Sequence, residues 1–439
     1  MIVRTADEAA TEPTGRQPLV VVGARLPQSG FTRVLEEVLT RLSGDFEVHW
    51  IGIGDKEGER VERGVRRLPC NLGGGDVFGA FQARDVARRV SAPVVLLLND
   101  PWMLRNYRVT LEKLEGVRTV AYCPVDGRIV DDGLVDDVSW VDTLVAYTAF
   151  GRAELEGSLS RLGRSPSDRG SPRLEVMPHG IDVSRFRPLP AHSNATRRRD
   201  AKRRVAPDRP QLWDRPWILN ANRPTPRKRV DLSLEGFARV DIGDGCGAVL
   251  CLHHALADAE DWDAIDAQAR ALGIRDRVLL SPCETRVGPT DADLNMLFNA
   301  CEIGLNTAMG EGWGLISFEH GATGAAQIVP ASAATGELWS GAAELLPIAR
   351  RYVPRYSLLE MAEVAVDDVS DALRRVLREP GRLEALSVAA AERAQSPEWL
   401  WEAVASRWLR FFKELTTQGS QVAEPAALVV GRSPEAGSS

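Results

Sequence analysis

The chain has no apolar run long enough to cross a bilayer. Stretches such as Val94–Leu98 fall far short of the roughly 20 residues that a spanning helix needs. Peripheral membrane contact stays open, although no strongly basic amphipathic helix stands out. Cys-x-x-Cys is missing too. The six cysteines (Cys70, Cys123, Cys246, Cys251, Cys283 and Cys301) are scattered, which argues against a disulfide framework or a thiolate metal site. Most read as small buried residues in a reducing compartment. Basic residues are not in excess: 54 Lys and Arg face 61 Asp and Glu, a net charge of −7, so no global positive field offers itself to nucleic acid. Residues 5–15 are polar and acidic, unlike a secretory leader. No Gly-x-Gly-x-x-Gly follows the first strand-like segment, which weakens a dinucleotide reading. These absences point to a cytoplasmic globular protein.

The composition that remains is 44% hydrophobic and 26% charged, ordinary for a folded chain, and 439 residues suggest about three domains by length alone. Periodicity is more specific. Strand-like runs at 19–23, 47–53, 65–68, 94–99, 119–122, 143–147 and 174–177 alternate with helical patterns at 31–42, 77–90 and 149–162. A second series has strands at 217–222, 248–253, 278–281, 303–307 and 327–330, with helices between them. Strands separated by helices of this length make parallel sheets covered on both faces. The fold class is therefore α/β, with two Rossmann-like domains facing across a cleft. The expected divisions are a disordered tail at 1–16, a first domain at 17–190, a linker at 191–214 and a second domain at 215–396. An amphipathic helix at 397–415 and a disordered tail at 416–439 follow. Arg197–Arg199 and Lys202–Arg204 make the linker basic. Without interleaved aromatics this cluster reads as a solvated linker or helix face rather than a nucleic-acid patch.

Chemistry concentrates in two places. The segment from Asn306 to Glu319 runs from a short buried strand through a glycine-rich bend into a helix, placing Glu311 just before the helix and Glu319 inside it. The free N–H groups and positive end of such a helix suit phosphate, and two carboxylates suit sugar hydroxyls. Upstream, a strand ending at Asn222 leads into Arg223, Lys228 and Asp231 ahead of another helix. Arg as a two-pronged donor and Lys as a point charge fit a diphosphate.

Both segments resemble the family 4 retaining glycosyltransferases. That family writes Glu-x7-Glu around Glu-Gly-Phe-Gly-Leu, where this chain has Glu311-Gly312-Trp313-Gly314-Leu315 and then Phe318-Glu319, with Gly324 at a further family glycine. It also spaces Arg, Lys and Asp as Arg223, Lys228 and Asp231 are spaced, but Asn222 and Arg229 stand where it has glycines. Ala308 and Ala326 replace a frequent Ser and Pro. The resemblance implies a GT-B fold whose C-terminal helix crosses back to the first domain. It implies a metal-independent, hexosyltransferase-like enzyme that moves a sugar, with retention, from a UDP-, GDP- or other nucleotide-diphosphate donor. The acceptor would be a small molecule, in specialised metabolism, or a glycan or glycolipid precursor in glycoconjugate biosynthesis. No cofactor is implied. Glu319 would hold the ribose, Glu311 and the amides of Gly312, Trp313, Gly314 and Leu315 the donor sugar and phosphate, and Arg223 and Lys228 the diphosphate. On the acceptor side Gly30 matches the family's glycine loop. Asp126 stands where many members have a donor-sugar His, though Asp-Gly is also a plain turn.

Other candidates have blander readings. His179, in Pro-His-Gly-Ile-Asp, reads as a turn residue, and His253 and His254 as packing or hydrogen-bonding residues. Asp261-Trp262-Asp263 and Asp291-Ala292-Asp293 match the metal-binding Asp-x-Asp of another glycosyltransferase fold, but both lead into helices as caps do, so no metal is expected. The alternative function is a catalytically silent nucleotide-sugar-binding regulatory subunit. A third, nucleic-acid binding through Arg197–Arg204, lacks supporting aromatics.

Overall fold

The computed structural model describes residues 15–420, apart from 166, 167, 169, 242–246, 255, 256, 282 and 356. Of the tails expected at 1–16 and 416–439, residues 1–14 and 421–439 lie outside the described residues, as does Cys246.

The first lobe is built on β1 (Gln17–Ala24), β2 (Phe46–Ile53), β3 (Arg60–Glu62), β4 (Val65–Pro69), β5 (Val94–Leu98), β6 (Arg118–Cys123), β8 (Thr143–Ala146) and β9 (Arg173–Val176), with the two-residue β7 (Arg128–Ile129) set apart. Their order is β3-β4-β2-β1-β5-β6-β8-β9, parallel except for the β3–β4 edge pair. The central strands read as continuous apolar runs because helices cover both faces; every residue of β5 is buried.

The second lobe uses β10 (Trp217–Asn220), β11 (Val249–His253), β12 (Val278–Ser281), β13 (Ile303–Leu305), β14 (Ala326–Pro330) and β15 (Glu344–Leu346) in the order β12-β11-β10-β13-β14-β15, all parallel. Both sheets reverse direction beside their first strand, at β1 and β10, where crevices open at the carboxyl ends of doubly wound sheets.

A third sheet was not anticipated. β16 (Ile348–Tyr352) and β17 (Leu359–Val364) form an antiparallel hairpin of the second lobe, and β17 pairs with β7 of the first, Leu359 opposite Ile129 and Glu360 opposite Arg128. Met309, Leu359 and Met361 thereby join the apolar cluster under the first lobe's sheet.

At the other edge, the helix Trp401–Ser420 follows a short turn at Pro397–Trp399 and crosses onto the first lobe. Trp408 packs edge-on to Tyr122 at 5.0 Å, Phe412 meets Phe46 at 6.0 Å, and Lys413 pairs with Asp45 at 2.7 Å. The helix outruns its expected end: Thr416–Ser420 are helical, not tail. The basic linker is also not simply solvated. Asn194–Val205 is a helix with Arg197, Arg198 and Lys202 buried. Arg198 donates to the carbonyls of Phe298, Asn299, Cys301 and Gly324, at and just beyond the C-terminal ends of two neighbouring helices.

Candidate functional site

Strand ends of both lobes enclose a cleft of about 450 Å³. Its second-lobe wall is set by a buried polar chain. Asn220 at the end of β10 donates to Ser233 Oγ at 2.9 Å, and Ser233 shares a hydrogen bond of 2.9 Å with Thr307, just past β13. Thr307 in turn donates to the carbonyl of Arg229 at 2.8 Å. The two chemistry-bearing loops, although some eighty residues apart in sequence, are thus held as one surface. Asn306 completes the turn: its Oδ1 accepts from the amide of Ala308 at 2.8 Å and its Nδ2 donates to Glu311 at 3.3 Å.

The bend into the helix Leu315–Ala322 uses Gly314 at φ 94°, a region favouring glycine. Gly310 has a different reason: a Cβ there would lie 1.9 Å from the carbonyl oxygen of Asp126, so the bend presses directly on the first lobe. In the helix's first turn the Ser317 amide bonds the carbonyl of Gly314 at 3.1 Å, while those of Leu315 and Ile316 are left to the cleft that these residues line. Trp313 buries its ring, stacked on Phe318 at 5.1 Å and 5.5 Å from His179.

All ten residues singled out from the sequence line this one cleft: Arg223, Lys228, Glu311, Glu319, Gly312, Trp313, Gly314, Leu315, Gly30 and Asp126. Lys228 Nζ sits 2.5 Å from Glu311 Oε1. Burial raises the cost of the Glu311 charge, but Lys228 and Arg227 outweigh it and hold its pKa below the ordinary value. Burial lowers the pKa of Lys228 against the pull of Glu311. The exposed Arg223 has no carboxylate partner among the described residues and faces the cleft. Arg229, which replaces a family glycine, adopts φ 46°, the conformation a glycine would take there easily. Ion pairs with Asp231 and Glu363 hold it.

Several cleft residues were missed or undervalued in the sequence. Arg227 bridges the lobes, 3.3 Å from Asp126 and 3.7 Å from Glu311, and donates to the carbonyl of Gly310. Arg33 reaches across from the helix Gly30–Leu42 to Glu319 at 3.3 Å and Asp291 at 2.6 Å. Asp100, after β5, is pushed up to about 6 by burial and by Asp126, with Arg227 pulling the other way. Nothing in local spacing marks Arg33 or Asp100, because their partners come from distant segments.

His179 is buried with Nδ1 2.7 Å from the Tyr122 hydroxyl, and burial drops its pKa to about 3, so it stays neutral. It also lines the cleft, more than a turn residue would. His253 lines the cleft and bonds Ser281 at 2.9 Å, whereas His254 is buried against Trp262 and the carbonyl of Asn222. Asp261 and Asp293 complete capping boxes with Asp258 and Thr290 in the first turns of their helices. Among the described residues no group of three or more His, Cys, Asp or Glu is placed to hold a metal ion.

No protein-family model and no curated protein matches the chain. Solved structures do. A sucrose-phosphate synthase from Thermosynechococcus elongatus is 16% identical with a TM-score of 0.68, covering 92% of this chain and 100% of that one. An α,α-trehalose 6-phosphate synthase from Burkholderia multivorans is 15% identical, TM-score 0.68, covering 94% and 100%. Anabaena HepE, solved in complex with UDP-glucose, is 10% identical, TM-score 0.65, covering 91% and 100%. Such likeness establishes the fold, and it is GT-B.

Proposed function

We propose that this GT-B protein is a retaining, family 4-like glycosyltransferase that moves a hexose from a nucleotide-diphosphate sugar to an acceptor hydroxyl. One observation carries the reading. Arg223, Lys228, Glu311 and Glu319 share one wall of one cleft with the open end of the helix Leu315–Ala322. That set matches a diphosphate bracketed by a ribose and a sugar. The similar structures include one solved with UDP-glucose, in keeping with such a donor.

The donor lies along the second lobe. Glu319 accepts from the ribose hydroxyls, and Glu311 accepts from the donor-sugar hydroxyls while balancing Lys228. Arg223, Lys228 and the first-turn amides face the phosphates. The acceptor enters from the first lobe, past Gly30, Asp100 and Asp126. As the bond from the sugar's anomeric carbon to the phosphate oxygen breaks, negative charge grows on that oxygen and positive charge on the sugar. Cations fixed beside the phosphate hold this state more tightly than the ground state. The acceptor oxygen bonds the same face of the anomeric carbon and its proton passes to the departing phosphate oxygen, so no separate side-chain base is required. Buried thiols at Cys70, Cys123, Cys251 and Cys301 suit a reducing, cytoplasmic setting.

The test is a thermal-shift screen of UDP-, GDP- and ADP-sugars, followed by assays of donor hydrolysis and of transfer with and without EDTA. A stabilising nucleotide sugar whose turnover survives chelation is expected. Binding without any turnover would favour the silent regulatory subunit instead. A strict need for added divalent metal would overturn the charge assignment to Arg223 and Lys228.

A further inference from the structure

Glu319 belongs to the second lobe, yet its charged partner comes from the first. Arg33, one turn into the helix Gly30–Leu42, directs Nε at Glu319 Oε1 (3.3 Å) while its Nη2 donates to Asp291 (2.6 Å) at the start of the helix Asp291–Ala300. Both Arg33 and Glu319 line the cleft, and the Glu319 side chain is only 5% exposed. The other charges facing it are Glu37 on the helix of Arg33 and Arg185 from the segment joining the lobes. Arg185 is shared, 2.7 Å from Glu37 and 3.3 Å from Asp291. The neighbouring His320 is buried with Nε2 bonded to the carbonyl of Cys301 at 3.1 Å. Around Glu319, then, Arg33 and Arg185 also serve Asp182, Glu37 and Asp291, and Arg41 pairs with Glu37 as well. Among the described residues, only Arg33 reaches Glu319 itself within ion-pair distance.

We propose that Arg33 is a positioning residue for the donor: reaching across the cleft, it favours the ionised Glu319, the form able to accept the ribose hydroxyls, only while the two lobes face each other as here. This rests on the assignment of Glu319 to the ribose. The physical case is a balance of two large effects. Burial opposes the Glu319 charge and lifts its pKa to about 7 even with Arg33 pulling it down. Without that guanidinium only the more distant Arg185 still favours the charge against burial, Asp291 and Glu37, and the carboxyl is protonated at neutral pH. A protonated carboxyl loses acceptor capacity on one oxygen and presents a donor to hydroxyls that need acceptors. In return Glu319 and Asp291 hold the Arg33 pKa above its ordinary value despite burial. Nucleotide recognition by one lobe is thereby armed by the other.

The sign follows directly. The binding-competent form is the ionised one, so affinity is full above the Glu319 pKa and falls as pH drops through it, by about tenfold per pH unit well below it. The experiment is calorimetric titration of the full chain with UDP-, GDP- and ADP-glucose between about pH 5.5 and about pH 8.5, where a disubstituted diphosphate does not titrate. Wild-type affinity should rise through about pH 7. In Arg33→Leu the midpoint should move up by about one pH unit or more, leaving binding roughly tenfold weaker at neutral pH and nearly normal at the top of the range. Arg33→Lys should restore most of the shift. Asp291→Asn removes a repulsive neighbour and should move the midpoint down, giving a test of opposite sign if the Leu variant fails to fold. Equal weakening at every pH in Arg33→Leu, or an unmoved midpoint in it and in Asp291→Asn, overturns the proposal. Glu319→Gln separates the two levels: if it leaves binding and its pH profile unchanged, the ribose assignment itself is wrong. No binding of any of the three donors removes both.

Discussion

Arg223 offers the cleanest residue on which to test the charge argument. Removing Lys228 also takes from the buried Glu311 its nearest cation, at 2.5 Å, leaving Arg227 at 3.7 Å and Asn306, and weakening a buried ion pair brings its own cost. Arg223 has no such partner among the described residues. Removing one preorganised charge of this kind costs about 3–4 kcal/mol in the transition state, a few hundredfold in rate. Arg223→Ala should therefore lower turnover by that order at saturating donor, with a smaller loss of donor affinity. Lys228→Ala should lose as much or more, and the double variant should fall short of the product if both act on the same phosphate oxygens. Near-normal turnover in folded Arg223→Ala would show that the loop has been misread. That Arg223, Lys228, Glu311 and Glu319 would line a cleft was legible in the sequence because each lies a short way along the chain from a strand end, and strand ends define such clefts. Arg33, Arg227 and Asp100 were not. Their meaning depends on which surfaces meet, as when Arg227 finds Asp126 about a hundred residues away.

At the scale of elements, the C-terminal helix shows what pattern reveals and what it hides. Apolar residues at helical spacing announced a helix, and its inner face carries Trp401, Val404, Trp408 and Phe412, all buried. Its end was misjudged because Thr416–Ser420 is polar. Thr416 is nonetheless buried and donates to the carbonyl of Lys413 at 3.1 Å, so the last turn continues. Composition misled similarly at Asn194–Val205, where charge suggested solvent while Arg198 closes the ends of two helices. Trp408 is the anchor of the crossing. It stacks on Phe412 at 5.2 Å and meets Tyr122 edge-on at 5.0 Å, joining the helix to the first sheet. Trp408→Ala should lower stability by about 3–5 kcal/mol, read as a shift in the urea midpoint of the transition that unfolds the first lobe. A loss below about 1 kcal/mol would mean that polar contacts such as Lys413–Asp45, and not the aromatic face, dock the helix.

For the molecule as a whole, the two lobes are joined at both edges of the cleft. One edge has the linker and the crossing helix. The other has β17 on β7, the bend at Gly310 against Asp126, and Glu337 accepting from the amides of Ala149 at 3.1 Å and Phe150 at 2.6 Å, which caps a first-lobe helix. Parting this second edge would draw Met309, Leu359 and Met361 out of the first lobe's apolar cluster. Full exposure costs about 1.5–3 kcal/mol for each such side chain, before the hydrogen bonds are counted. Opening there during every turnover is therefore disfavoured by orders of magnitude, and any motion that admits the donor must pivot about the β7–β17 pairing rather than break it. A cross-link tests this. Arg128 and Glu360 are paired across the two strands and exposed enough to replace, and directly opposed strand residues stand within disulfide reach. With the exposed Cys283 changed to Ser, Arg128→Cys with Glu360→Cys should oxidise readily and keep turnover within a fewfold of the reduced form. If oxidation instead stops turnover and a reductant restores it, this edge opens in each cycle and the pivot lies elsewhere.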